Sequence, residues 1–168
     1  MHSSQIDFCL SIKRKFPKCF QGFALDVGSL DINGSNRSMF IKGNYIGLDI
    51  GKGANVDIIC HVHEYNPGFL FDCIISTEML EHDKYYKKSL KAMFELLEVG
   101  GLLLLTAAAN DRKEHGTYRA NRESSPFTLD YYKNVTKRMI IESLDMKKFK
   151  EYNLQIIKND LHFWGIKK

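Results

Sequence analysis

Two short apolar runs in the first third of the chain constrain the fold more than any other feature. The first run, residues 24–27 (ALDV), leads into Gly28, and the second, residues 45–48 (YIGL), ends at Asp49. A glycine turn after a strand lets the backbone approach a ligand, and an acidic residue ending the next strand can accept hydrogen bonds from ribose hydroxyls. Asp49 lies 23 positions after Asp26, close to the spacing of about 20 residues in such a unit. The pattern predicts two neighbouring parallel strands that hold a nucleotide-type cofactor.

Strand-like runs alternate with helical patterns along the rest of the chain. Strands are predicted at residues 23–27, 45–49, 56–60, 71–75 and 102–106, and helices at 3–20, 83–97 and 128–143. A turn at Asn159-Asp160 predicts a terminal hairpin of strands 154–158 and 161–166. The alternation is typical of α/β proteins, so we predict a Rossmann-like, doubly wound, mostly parallel seven-stranded sheet with a C-terminal antiparallel hairpin. Residues 1–168 are expected to form one domain, with an N-terminal helix at 3–20 and a core at 22–168.

The predicted end of the second helix and the predicted start of the third are each based on two residues. Gly100 and Gly101 are expected to end the second helix, and Thr128 and Asp130 are expected to lie near the N-cap of the third. Between them, residues 107–127 are polar and irregular, and long for a connection. Loops of this length in a compact domain are usually functional.

The composition is that of an ordinary globular domain, with 44% hydrophobic and 26% charged residues. No apolar run approaches the roughly 18 residues of a membrane span, and the N-terminus lacks the apolar core of a signal peptide. A cytoplasmic protein without a membrane partner is therefore expected. The four cysteines form no CxxC pair, which favours reduced thiols. Residues 133–168 carry 9 of the 24 Lys and Arg but 4 of the 20 Asp and Glu, and this basic end leaves an anionic partner open.

Four segments, in order, resemble the motifs of class I S-adenosylmethionine-dependent methyltransferases. They are the turn at 26–29 (DVGS), the acid Asp49, the segment 71–82 (FDCIISTEMLEH) and the segment 97–104 (LEVGGLLL). The resemblance covers nearly the whole chain, from about residue 22 to residue 168. It implies S-adenosylmethionine as cofactor, S-adenosylhomocysteine as product and a methyltransferase activity. The chain looks most like small methyltransferases of phages and glycan gene clusters, which implies a small-molecule or glycan-type methyl acceptor.

The resemblance also implies which residues bind the cofactor. These are Asp26, Gly28, Ser29, Asn33, Gly34, Asp49, Ile50, His61, Val62, Ser76, Thr77 and Glu78. The chain departs from the family in two places. The usual GxGxG turn is replaced by Gly28 with the next glycine at Gly34, so the cradle is expected to have another shape, with Asn33 or Arg37 near the methionine end of the cofactor. The acid that often follows the third strand is replaced by His61.

Catalytic roles are expected for His82, His115 and Glu81. The loop after the fifth strand is expected to cover the acceptor, and His115 within it is a candidate general base. An oxygen acceptor needs its proton removed, whereas a nitrogen acceptor may need only orientation. Two histidines therefore favour an oxygen acceptor.

Several alternatives stay open, although no metal is assigned to the site. Glu78, Glu81 and His82 would share a face if a helical turn starts there, and with His115 they could hold a divalent ion. The small-RNA 2′-O-methyltransferases resemble this arrangement, which would make nucleic acid the acceptor. His61, His63 and Glu64 offer a second, less favoured ligand group. A domain that binds S-adenosylmethionine without catalysis, as a partner or regulatory module, is the remaining alternative; an NAD enzyme is disfavoured because the glycines do not fit GxGxxG. The oligomeric state is not predicted.

Overall fold

The computed structural model describes residues 3–168, which form a three-layer α/β domain. Within this range seven strands form one sheet in the order β3-β2-β1-β4-β5-β7-β6. The strands are β1 (Ala24–Val27), β2 (Tyr45–Asp49), β3 (Ile58–Ile59), β4 (Phe71–Thr77), β5 (Leu97–Ala108), β6 (Phe149–Ile157) and β7 (Asp160–Lys167). The helices are α1 (Ser3–Lys15), α2 (Tyr86–Glu95) and α3 (Lys137–Ser143). The first five strands are parallel, and β7 pairs antiparallel with both β5 and β6, which confirms the predicted fold class.

The sheet is buried on both faces because its central strands are mostly apolar. Successive side chains of β5 point to opposite faces, as in any strand. Leu103 and Leu105 therefore join the core beneath α2 and α3, whereas Leu102 and Leu104 join the core beneath α1. Strands buried on two sides lack an apolar–polar alternation, so the run 102–105 could be recognised as a strand from its composition alone.

The predicted end of the second helix and the predicted start of the third helix were both wrong. Gly100 and Gly101 do not end α2, which stops at Glu95; they lie in β5, where the pairing with β4 shifts register. Gly100 has φ +83°, the left-handed conformation that a bulge of this kind requires. The N-terminal helix also ends earlier than residue 20, at Lys15, because the proline in the 3-10 turn Pro17–Phe20 disfavours helical dihedrals in the preceding residue.

The third helix begins nine residues later than predicted, at Lys137 rather than 128. Its N-cap is Thr136, whose side chain accepts a hydrogen bond from the Met139 amide at 3.2 Å. Leu129 and Asp130 have φ of +49° and +62°, which no helix tolerates. Residues 109–136 therefore form one connection without a long helix, which we call the long loop.

The remaining boundary differences are smaller. The third strand is shortened to Ile58–Ile59, and β6 begins at Phe149 rather than 154. The hairpin turn consists of Lys158 and Asn159, both at positive φ, one position before the predicted pair. In residues 3–168 no helix is long and apolar enough to cross a membrane. All four cysteines fall in this range and are free thiols.

Candidate active site

The carboxyl ends of β1, β2 and β4 open into a cavity of about 1250 Å³. The sheet order reverses here, because the chain runs outward from β1 to β3 and then crosses back to β4 on the other side of β1. Ligands in open α/β sheets bind in the crevice at such a reversal. The long loop forms the facing wall of the cavity. Sites for one small ligand measure about 300–1,000 Å³, so this cavity has room for two ligands side by side.

The turn after β1 can be occupied only by glycine. Gly28 has φ +81°, and a Cβ built on it would lie 2.6 Å from the Cβ of Met79. The amides of Gly28 and Ser29 both donate to the Leu48 carbonyl, at 2.9 and 3.1 Å, which fixes the turn against β2. The backbone here forms part of the cavity wall without a side chain in front of it, as the close approach of a ligand requires.

Asp49 ends β2 with its carboxylate held by two backbone amides. Its Oδ2 accepts from the Leu30 amide at 3.1 Å and its Oδ1 accepts from the Gly51 amide at 3.0 Å. Burial raises the pKa of Asp49, and the amide hydrogen bonds oppose that rise. Each carboxylate oxygen keeps a second lone pair. Asp49 lines the cavity and can accept hydrogen bonds from two neighbouring hydroxyls.

Asp26 is buried beneath the glycine turn in a polar network. Its Oδ2 accepts from the Tyr45 hydroxyl at 2.6 Å and from the Asn36 amide at 3.2 Å, whereas its Oδ1 has no protein partner. Asn36 also donates to the Thr77 hydroxyl at 3.1 Å, so the network joins β1, β2 and β4. Burial raises the pKa of Asp26 to about 6. Tyr45 and Asn36 were missed in the sequence because each is a single polar group whose partner is distant along the chain.

The loop between β1 and β2 has the altered shape that the sequence suggested. Asn33 and Gly34 line the cavity, and the Gly34 amide donates to the Asp31 carboxylate at 2.8 Å. Arg37 does not reach the cavity, because its guanidinium pairs with Asp57 and Asn55 outside it. Of the two residues expected near the methionine end of the cofactor, Asn33 lines the cavity and Arg37 does not.

Eleven of the twelve residues predicted to bind the cofactor line this cavity. They are Asp26, Gly28, Ser29, Asn33, Gly34, Asp49, Ile50, His61, Val62, Thr77 and Glu78. The exception is Ser76, which is fully buried and donates its hydroxyl hydrogen to the Val27 carbonyl at 2.8 Å. Side chains alternate along a strand, so Ser76 and its neighbour Thr77 cannot both face the cavity.

Glu78 follows β4 with φ +55° and ties the long loop to the sheet. Its Oε2 lies 3.6 Å from the guanidinium of Arg112, which also forms an ion pair with Asp160 at the start of β7. The main-chain carbonyl of Arg112 accepts hydrogen bonds from Tyr132 and Asn134. Arg112 was missed in the sequence, and it connects the first part of the long loop to the last.

The three predicted catalytic residues lie close together, and two of them, His82 and His115, line the cavity. The 3-10 turn Leu80–His82 carries Glu81 and His82, and the long loop supplies His115, with one ligand-type atom of each within 4.8 Å of the others. The rings of His82, His115 and Tyr132 pack edge to face with centroids 4.9–5.4 Å apart. Gly116 makes this packing fit, because a Cβ on it would lie 2.7 Å from the His82 ring.

Burial shifts the pKa values of His82 and Glu81 in opposite directions. It lowers the pKa of His82 to about 4, with a further contribution from His115, so this imidazole is neutral near pH 7. It raises the pKa of Glu81 well above the ordinary value, and the nearby Glu78 adds to the rise. His82 and His115 line the cavity, whereas Glu81 is fully buried and does not. Among the described residues, His61, His63 and Glu64 do not form such a ligand group, although the rings of His61 and His63 stack.

The sequence matches no protein-family model and no curated protein, whereas many solved structures share its fold. One is the Burkholderia thailandensis 1,6-didemethyltoxoflavin-N1-methyltransferase with bound 1,6-didemethyltoxoflavin and S-adenosylhomocysteine. Its TM-score is 0.70 at 15% identity, and the match covers 99% of this chain and 79% of that chain.

Two further structures cover most of both chains. The N-terminal domain of EvdMO1, crystallised in the presence of S-adenosylhomocysteine and D-fucose, has a TM-score of 0.64 at 15% identity, over 99% of this chain and 84% of that chain. A methyltransferase from Archaeoglobus fulgidus has a TM-score of 0.62 at 13% identity, over 96% and 94%. At these identities the likeness establishes the fold, and this chain has the fold of the class I S-adenosylmethionine-dependent methyltransferases.

Proposed function

We propose that the protein is an S-adenosylmethionine-dependent methyltransferase that acts on a hydroxyl group of a small-molecule or glycan-type acceptor. The observation that carries the proposal is a single cavity onto which the Gly28 turn, Asp49 and the two histidines His82 and His115 all open. A cofactor held by the first two would extend toward the histidines. The acceptor would then lie between the cofactor and the long loop.

The residues around β1 and β2 fit the cofactor in size and chemistry. Asp49 offers two carboxylate oxygens to the ribose hydroxyls, and the bare backbone at Gly28 admits the methionine part. The free Oδ1 of Asp26 is a buried acceptor that suits an ammonium group, directly or through a water. When bound, S-adenosylmethionine supplies an electrophilic methyl group on a sulfonium. The protein's part is to align the acceptor and to exclude water.

The long loop lines the cavity with neutral polar groups as well as with the charged residues 111–114. The long loop contributes Asn121, Ser124, Ser125 and Thr128 to the wall, and the ring of Phe127 packs on Gly51. Hydroxyls and amides that both donate and accept suit a polyol or a sugar. The D-fucose present with the EvdMO1 domain is in keeping with an acceptor of this class.

The histidines supply the proton chemistry that an oxygen acceptor needs. His82 is neutral and nearly buried, and it holds its ring against His115 and Tyr132. His115 is the more exposed ring and its Nδ1 faces the Lys113 carbonyl at 3.1 Å, which leaves Nε2 available toward the cavity. His115 is thus the group best disposed to receive the hydroxyl proton, with His82 and the buried Glu81 orienting it.

Calorimetry with S-adenosylhomocysteine and with NAD tests the cofactor assignment. We expect binding of S-adenosylhomocysteine alone, weakened at least about tenfold in Asp49→Asn, while Asp7→Asn on the exposed face of α1 binds like the wild type. Absence of S-adenosylhomocysteine binding, or equal binding of NAD, would overturn the proposal.

Mass spectrometry of mixtures with sugars, small phenols, small amines and RNA tests the acceptor class. Methylated sugars or other small hydroxyl compounds are expected. If only amines or RNA are methylated, the proposed hydroxyl acceptor is wrong and the acceptor is an amine or RNA. If the cofactor binds and none of the acceptors gains a methyl group, the non-catalytic alternative is favoured.

A further inference from the structure

We infer that Glu81, His82 and His115 form a binding site for a divalent transition-metal ion such as Zn²⁺ or Mn²⁺, with an open coordination position facing the cavity. One carboxylate and two imidazoles each offer one atom, and these atoms lie within 4.8 Å of one another. Among the described residues this is the one such group. The inference deepens the proposed function: a bound ion would take the free nitrogen of His115 and would then promote loss of the acceptor's hydroxyl proton in place of that imidazole. The metal site itself can be tested without any methyl transfer.

Two of the three donors are buried atoms with nothing to bind. Oε2 of Glu81 and Nδ1 of His82 have no hydrogen-bond partner, although Glu81 is fully buried and His82 is 6% exposed. An unsatisfied buried acceptor destabilises the folded protein. A cation bound by both atoms would satisfy them.

The other polar atoms of the three residues are already used, and in the way that metal ligands require. The backbone of Tyr131 hydrogen-bonds the His82 ring, which leaves Nδ1 as its lone-pair nitrogen, and the Lys113 carbonyl lies 3.1 Å from Nδ1 of His115. The Glu81 Oε1 accepts from the Ala108 amide at 3.1 Å. A metal-bound histidine typically donates its second nitrogen to a carbonyl in this manner, because that bond fixes the tautomer and the ring orientation.

The donor set selects the kind of ion. Two imidazoles and one carboxylate suit Zn²⁺, Mn²⁺ or Fe²⁺, whereas Mg²⁺ prefers oxygen ligands only. Glu78 is not one of the ligands, because its carboxylate pairs with Arg112 and accepts a hydrogen bond from the Thr106 hydroxyl. The oxygen-rich group of four that the sequence left open is therefore not the group that the fold assembles.

The geometry leaves one side of such an ion open. Ligands about 2.1 Å from a shared ion are at most about 4.2 Å apart, so a sub-ångström movement of His115, the most exposed of the three, closes the group. His82 is held in place by Tyr132 and by the close approach of Gly116. Three protein ligands with an open position are the pattern of catalytic metal sites. Because both histidines line the cavity, the open position is available to an oxygen of the acceptor.

Titration calorimetry of chelator-treated protein with ZnCl₂, MnCl₂ and MgCl₂ tests the inference, and CoCl₂ reports the ligand set through its visible absorption. We expect one ion per chain, Zn²⁺ bound more tightly than Mn²⁺, and no saturable Mg²⁺ binding. His115→Ala and Glu81→Gln should each weaken Zn²⁺ binding at least about tenfold. The matched control is His61→Ala, a cavity histidine outside the group, which should bind Zn²⁺ like the wild type.

The result that overturns the inference is no saturable binding, or affinities that are equal in the wild type and in His115→Ala. Equal loss in His61→Ala would also overturn it. Glu81 is buried, so Glu81→Gln could fail to fold. In that case the inference is tested by His115→Ala, which changes a residue on the more exposed long loop. S-adenosylhomocysteine binding measured on the same samples keeps the two proposals separate, because a protein without a metal site can still bind the cofactor.

Discussion

Replacing Gly28 by alanine should damage both the stability of the protein and its binding of S-adenosylhomocysteine. An alanine at φ +81° loses about 1–2 kcal/mol to backbone strain. The new Cβ would also lie 2.6 Å from the Cβ of Met79, an atom that no side-chain rotation can move. Overpacking of this kind adds about 1–3 kcal/mol. We expect the free energy of unfolding to fall by roughly 2–5 kcal/mol, and the affinity for S-adenosylhomocysteine to fall at least about tenfold as the turn is displaced.

The chain provides a matched control for this substitution at Gly43. Its φ is +95°, but a Cβ there would meet nothing within 4 Å. Gly43→Ala should therefore show the backbone strain alone, about 1–2 kcal/mol, with unchanged affinity for S-adenosylhomocysteine. Urea denaturation and calorimetry measure the two quantities, and Met79→Gly should restore part of the stability lost in Gly28→Ala. Equal losses in Gly28→Ala and Gly43→Ala, with equal affinities, would refute the close approach at this turn.

Three further outcomes follow from the site. His115→Ala should lower kcat at least about tenfold and leave the affinity for S-adenosylhomocysteine nearly unchanged; a fall in that affinity would instead assign His115 to the cofactor or to the fold. Burial raises the pKa of Asp26 from 3.8 to about 6, so its contribution to stability is present below about pH 4 and is lost as the pH rises through 6. Asp26→Asn should therefore remove a fall of about 2 kcal/mol in the free energy of unfolding between pH 4 and pH 7, and parallel pH profiles of the two proteins would contradict this. Arg112→Ala should speed proteolysis and hydrogen exchange in residues 109–136, because it breaks the ion pairs with Glu78 and Asp160; Arg138→Ala, which breaks an exposed pair on α3, should leave that segment protected.

The parts of the fold that the sequence predicted correctly are those decided by local pattern. The run of leucines at 102–105 and the apolar segments that became β1, β2 and β4 need only their own composition to be recognised as buried strands. The Gly28 turn and Asp49 were likewise predictable, since a strand end and its neighbour bring them together. Ser76 was misassigned because adjacent strand residues were both given to the cavity, against the alternation of the pleat.

The errors occur where distant contacts override a local signal. Gly100 and Gly101 resemble a helix end, but pairing with β4 draws them into a bulged strand. Thr128 and Asp130 resemble an N-cap, but the Asp130 carboxylate accepts a hydrogen bond from the Tyr118 amide, 12 positions earlier in the chain. Tertiary hydrogen bonds of this kind cannot be read from residue type and spacing.

The same distinction explains why the residues at the ends of β1 and β2 were easier to place in the cavity than those of the long loop. In the proposed function these are the cofactor side and the acceptor side of the cavity. The cofactor side is built from strand ends that are fixed by the sheet. The acceptor side depends on the long loop, which is attached to the scaffold at separate points: the Lys133 amide donates to the Glu81 carbonyl, the Val135 amide donates to the Ala108 carbonyl, and Arg112 reaches Glu78 and Asp160. These attachments bring His115 to His82 across 33 positions of chain. A substitution that frees one attachment should therefore alter the acceptor side while the cofactor side, held by β1 and β2, keeps its affinity.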